Sequence, residues 1–115
     1  EAQISIAKAG GWVYLEGMGS IRLDTASGDT IQLKRYMDYL VNLKAKNLLN
    51  RVLISHDSGW YTVGEENNTM NRRFTPIFQY VIPELKRQGF TDEDINQLLV
   101  KNPPIAYSIS PNLSP

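Results

Sequence analysis

Arg51-Val52-Leu53-Ile54-Ser55-His56-Asp57 is a short β-branched run that ends on a histidine and a carboxylate. A continuous apolar run of this length, followed by turn residues, reads as a strand buried on both faces, as in a parallel sheet. Upstream, Trp12-Val13-Tyr14-Leu15 lies between Gly10-Gly11 and Gly17 and has the same character. Between the two runs, Leu33, Tyr36, Met37, Leu40 and Val41 recur at helical spacing, while Lys34, Arg35, Asp38 and Lys44 fall mostly off that face. Asp29 or Thr30 can cap this helix. Two buried-type strands joined by a helix make a βαβ unit, which is parallel and almost always right-handed. The fold class is therefore α/β.

Working outward, Glu1 to Lys8 followed by Gly10-Gly11 reads as the tail of a helix closed by a left-handed C-cap glycine. Glu16-Gly17-Met18-Gly19-Ser20 breaks the first strand with a flexible loop. Ser58 to Arg73 is a polar loop of about sixteen residues, a length that usually carries function or disorder. Thr75-Pro76 opens the next helix, with Ile77, Phe78, Val81, Ile82 and Leu85 as its buried stripe and Gly89 at its end. Pro83 lies inside that pattern and is expected to kink it. Thr91-Asp92-Glu93-Asp94 resembles a capping box ahead of Ile95, Leu98 and Leu99. Asn102-Pro103-Pro104 is expected to stop that helix, and the Ser/Pro/Asn-rich end reads as a surface tail. Two parallel strands alone leave each outer edge unpaired. The chain thus reads as part of an unfinished α/β fold, and its opening on a helix tail at Glu1 points the same way.

The 115 residues make one domain at most. Twelve basic residues balance twelve acidic ones, so there is no basic field to draw the chain onto nucleic acid or an anionic membrane. No apolar run approaches the length of a membrane span, and no signal-like segment is present. The chain has no cysteine, which excludes a disulfide scaffold, a thiolate zinc site and a cysteine nucleophile. It leaves the compartment open between cytoplasm and periplasm.

Chemistry is best placed at Asp57. A carboxylate at the C-terminal end of a parallel strand stands where active sites gather in α/β barrels and open sheets. There it can bind a divalent metal or accept a proton from a metal-bound water. It can equally cap the turn, as Asp-Ser-Gly often does. His56 is the only histidine, and strand alternation sends it to the opposite side from Asp57. Glu16, at the end of the other strand, could share the rim with Asp57 as a second carboxylate for acid/base work. Gly17-Met18-Gly19 lacks the remaining residues of a phosphate loop. Arg72-Arg73 with Trp60 and Tyr61 would suit nucleic acid, but Glu65-Glu66 and the zero net charge argue against it.

The run Arg51 to Trp60, the long loop, and the stretch from Phe74 to Pro104 together resemble the C-terminal part of the phosphotriesterase family, within the metal-dependent amidohydrolase superfamily. The likeness spans nearly the whole chain, and its specific motifs lie in the latter half. They are Ser55-His56-Asp57, Val81-Ile82-Pro83-Glu84-Leu85, Gly89, the stretch Thr91 to Asp94, and Asn102-Pro103. Upstream, Gly11 to Gly17 is similar to the family's seventh strand.

The resemblance implies a (β/α)8 TIM barrel, of which residues 1–115 would be the C-terminal portion: strands seven and eight with their helices. It implies that Asp57 ligates the more buried metal of a binuclear zinc centre and takes the proton of the attacking hydroxide. Glu16, Trp60 and Tyr61 would line the substrate pocket, and His56 would be structural. The implied substrates are small molecules: phosphotriesters, lactones or other esters. The family's metal-binding histidines and bridging lysine have no counterpart here, and a whole barrel takes about 250 residues. The chain alone is therefore expected to hold no metal centre, to hydrolyse nothing, and to oligomerise or need the rest of its barrel. The alternative is a non-catalytic α/β module that binds a partner through its strand edges.

Overall fold

The computed structural model describes residues 1–23, 30–59, 62–64, 66 and 72–108. It is a mixed α/β structure around a two-stranded parallel sheet. Helix α1 spans Ala2–Lys8, strand β1 Val13–Leu15, helix α2 Thr30–Ala45 and strand β2 Val52–Ile54. Three short helices follow: α3 over Ile82–Arg87, α4 over Asp92–Asn96 and α5 over Asn102–Tyr107.

Helix α1 ends as its glycines dictate. Gly10 adopts φ 89°, and the amides of Gly10 and Gly11 bond back to the carbonyls of Ala7 and Ile6. That bond pair is a Schellman closure, which turns the chain straight into β1. Asn47, at φ 57°, closes α2 in the same way through the Leu48 amide to Leu43. Helix α2 buries Leu33, Met37, Leu40 and Leu43, while Val41 is turned outward. Its buried stripe therefore follows the expected spacing but continues through Leu43 instead of Val41.

In the sheet, Val13 pairs with Val52, Tyr14 with Leu53, and Leu15 with Ile54. Val13, Leu15 and Val52 join a core with the α2 stripe, Ile77, Val81, Leu85 and Leu98. The expectation that both strands are buried on both faces fails at Tyr14, which is 50% exposed between two neighbours at 5%. The helices cover one face of β1, and no described element covers the other.

The segment Glu16 to Ser20 also departs from the flexible loop expected of it. Met18–Ser20 is a tight 3-10 turn, with Met18 and Gly19 fully enclosed. Met18 fills the core beside Ile21, and apolar burial of this kind holds a turn rigid.

Prolines shape the helical half. Directly ahead of Pro83, Ile77–Val81 forms a π-helical turn, and a second one, Gln97–Lys101, precedes Pro103-Pro104. A proline has no N–H to give and crowds the carbonyl four residues back. Widening the preceding turn removes both conflicts, so each proline opens a new α-helical segment. The expected stop at Asn102-Pro103-Pro104 is accordingly a continuation, since α5 runs on to Tyr107. The capping box of α4 is complete: the Thr91 hydroxyl accepts from the Asp94 amide, and the Asp94 carboxylate accepts from the Thr91 amide.

Asn102 is the one buried polar side chain among the described residues. Its amide nitrogen donates to the carbonyls of Leu49 (2.7 Å) and Val52 (2.6 Å), and its oxygen accepts from Gln97 Nε2 at 2.6 Å. It thereby fastens the last helices to the entry of β2. Asn102→Ala would leave two buried carbonyls unsatisfied, at about 1–3 kcal/mol each. We expect a loss of about 2–4 kcal/mol in urea unfolding, whereas Val100→Ala on the exposed face should change stability by about 0.5 kcal/mol or less.

Candidate active site

The hydrogen-bond ladder does not stop where the strands stop. Ser55 N–H donates to the Leu15 carbonyl (3.1 Å), Met18 N–H to Ser55 (3.1 Å) and Gly19 N–H to His56 (2.8 Å). The turn after β1 is thus zipped to the residues after β2, and Asp57 is delivered to the C-terminal end of the pair. On the open face, the Tyr14 hydroxyl donates to Ser55 Oγ at 2.9 Å. Asp57 itself sits at φ 50°, in the left-handed region that aspartate tolerates better than most residues. That conformation suits a turn.

The carboxylate meets Arg72. Arg72 Nη1 donates to the Asp57 carboxylate and, at 3.2 Å, to the Asp57 carbonyl. Both side chains are about one-third exposed. The sequence offers Arg72 only as part of a nucleic-acid patch; the tertiary structure makes it the counter-charge of Asp57. The descending limb of the loop is anchored beside it. Arg73 N–H donates to the Gly19 carbonyl at 3.1 Å, and Ser58 Oγ donates to the Arg73 carbonyl at 2.8 Å. A Cβ at Gly19 would lie 2.2 Å from Ser58 Oγ, 2.6 Å from the His56 carbonyl and 2.8 Å from the Arg73 carbonyl. Only glycine fits this crossing of three chain segments.

Glu16 lies exposed at the end of β1, one residue before Gly17 (φ 87°). Its carbonyl accepts from the Tyr36 hydroxyl at 2.6 Å. Burial is the main cause that raises the Tyr36 pKa, so the phenol stays a donor at neutral pH. A Cβ at Gly17 would come within 3.1 Å of that hydroxyl and 4.0 Å of Arg72 Nη1. Glu16, Gly17, Tyr36, Asp57 and Arg72 therefore occupy one end of the strand pair. Helical spacing marks Tyr36 only as a core position, although a tyrosine on a buried stripe usually carries its hydroxyl to a partner. Trp60 and Tyr61 lie outside the described residues.

His56 points elsewhere. Its Nε2 accepts the Ile77 N–H at 3.1 Å, and its ring stands 6.5 Å from Phe74 and 6.0 Å from Phe78, centroid to centroid. It caps the start of the helical half and is not aimed at Asp57's partner.

The donor set is small. Among the described residues no three His, Asp or Glu side chains converge as a metal site would require. Asp57 offers one carboxylate, already engaged by a guanidinium. The described residues by themselves do not fit a binuclear zinc centre. No described helix is long and apolar enough to cross a membrane.

The phosphotriesterase family model matches residues 4–107. The chain belongs to the phosphotriesterase family. The match covers both strands, the zipped turns and the helical half through α5, so the family resemblance seen at Ser55-His56-Asp57 extends over the whole described architecture. No curated protein matches the chain.

The His56 contact has a pH consequence. Burial disfavours the charged ring and lowers its pKa below 6.5, and the neutral ring is the form that accepts from Ile77. Between the lowered value and 6.5 the unfolded chain binds more protons than the folded one. Stability is therefore fully present above about pH 6.5 and falls as the pH drops through that value. Thermal melts between pH 7.5 and 5.5 should show this loss. His56→Asn, whose amide oxygen can still accept from Ile77, should flatten the profile over that range. Glu84, Asp92 and Asp94, held low by Arg87, Lys86 and Lys44 respectively, contribute only at more acid pH.

Proposed function

We propose that this chain supplies the seventh and eighth strands, with their helices, of a (β/α)8 hydrolase barrel that cleaves ester, lactone or phosphotriester bonds. The observation that carries the proposal is Asp57 at the C-terminal end of β2, inside a family match that spans both strands. In barrels, reactive groups gather at that end. Support also comes from the sheet: each strand has one partner among the described residues, and Tyr14 stands on a face that a barrel interior would enclose.

In this reading Asp57 is the carboxylate that takes the proton from the attacking water. Glu16, Trp60 and Tyr61 line the substrate mouth. Tyr14 and Ser55 form a polar layer beneath Asp57 and fix the end of β2. The divalent metal implied by the family, zinc, would need donors from other barrel strands in addition to Asp57. Residues 1–115 would then form one part of a single catalytic domain. The outer strand edges, unpaired among the described residues, also fit a second reading, a non-catalytic module whose strand edges bind a partner.

The test is complementation. Alone, with added zinc or manganese, the chain should hydrolyse aryl esters, lactones and organophosphates no faster than the metal control. Joined to a polypeptide that carries the remaining strands of a family barrel, it should restore turnover. Asp57→Asn in that assembly should lower kcat by about 100-fold or more while leaving the melting temperature near its original value. A complex that forms without turnover on any of the three bond types would favour the binding module.

A further inference from the structure

We propose that Tyr36 and Gln32 are positioning residues: from one face of α2 they hold the two successive carbonyls of the Glu16–Gly17 corner, and so set how the Glu16 carboxylate meets substrate. The two side chains stand four residues apart and therefore share a helix face. The Tyr36 hydroxyl donates to the Glu16 carbonyl at 2.6 Å. Gln32 Nε2 donates to Ser20 Oγ at 2.7 Å, and that hydroxyl donates in turn to the Gly17 carbonyl at 2.7 Å. Gln32 also bonds the Tyr36 hydroxyl, which joins the two tethers into one network. The helix they start from is fixed, because Leu33 and Met37, beside them in sequence, are buried in the core.

The tethers meet the chain where it leaves β1, just ahead of the last two rungs of the ladder. Gly17 turns there at φ 87°, and a Cβ on it would come within 3.1 Å of the Tyr36 hydroxyl. A glycine is free to swing at such a corner. Bonds on two successive carbonyls remove that freedom: Tyr36 sets the peptide plane between Glu16 and Gly17, and Ser20 with Gln32 sets the next one. Immediately beyond, Met18 N–H and Gly19 N–H make the rungs to Ser55 and His56. The corner is thus referenced to α2 on one side and to the end of β2 on the other. The consequence for substrate rests on the reading of Glu16 as a pocket residue; the tether itself stands on geometry alone.

Amide hydrogen exchange of the full chain, followed residue by residue, tests the tether. Tyr36→Phe should speed exchange at Met18 and Gly19 about fivefold or more, while Leu53, in the middle of β2, keeps its rate. Tyr39→Phe, one turn along the same helix, should change neither. In the reconstituted barrel Tyr36→Phe should raise KM about fivefold and leave kcat within about twofold, since in that reading Glu16 touches substrate away from the reacting bond. Combined with Glu16→Ala, it should add nothing to the KM of Glu16→Ala alone. Unchanged exchange at Met18 and Gly19 in Tyr36→Phe, or a KM effect that adds in full to that of Glu16→Ala, would overturn the positioning role. An assembly with no turnover counts against the hydrolase reading alone, and the exchange rates then decide the tether. Where Tyr36→Phe loses its cooperative melt, Gln32→Ala takes its place under the same criteria.

Discussion

The parallel pairing of β1 with β2, continued past the strand ends by the bonds from Ser55 to Leu15, Met18 to Ser55 and Gly19 to His56, is the interaction on which the rest depends. A pair of three-residue strands is a weak element in isolation. It holds because Val13, Leu15 and Val52 face a core filled by α2, the π-helical turn and Met18. The extra rungs carry that rigidity from the core to the rim. Without them Asp57 would sit on an unanchored loop; with them it stands over a pinned backbone.

Charge at the rim follows from that frame. The zipper brings Gly19 under the returning limb of the long loop, and the limb then sets Arg72 on Asp57. His56, one residue earlier, is committed to the helical half through Ile77. Neighbouring residues in one segment thus take different partners: His56 joins it to the helical half, and Asp57 meets Arg72. At the other end of β2, Asn102 satisfies the carbonyls of Leu49 and Val52 and fixes how the strand enters the sheet.

Much of this was legible from local pattern. The βαβ unit, the left-handed closure at Gly10, the capping box at Thr91 and the placement of Asp57 after a strand each depend on residues close together in the chain. Three features were not. Tyr14 looked buried because an apolar run cannot reveal how many layers will cover it. Glu16 to Ser20 looked flexible because its glycines suggest freedom, whereas here Gly19 is required by close packing of three segments. Asn102-Pro103-Pro104 looked like a stop because the relief that a π-helical turn gives a proline leaves no mark on composition.

By itself the sequence determined the class of the fold, the family, and the residue at which a carboxylate would emerge from a strand, since these rest on periodicity, turn chemistry and short motifs. Only the tertiary structure decided that Arg72 is the partner of Asp57, that Asn102 is a buried clamp, and that no described element covers one face of β1. The two pairings depend on segments 15 to 53 residues apart meeting in space. Packing and charge pairing over such separations are properties of the folded chain, and no local pattern encodes them.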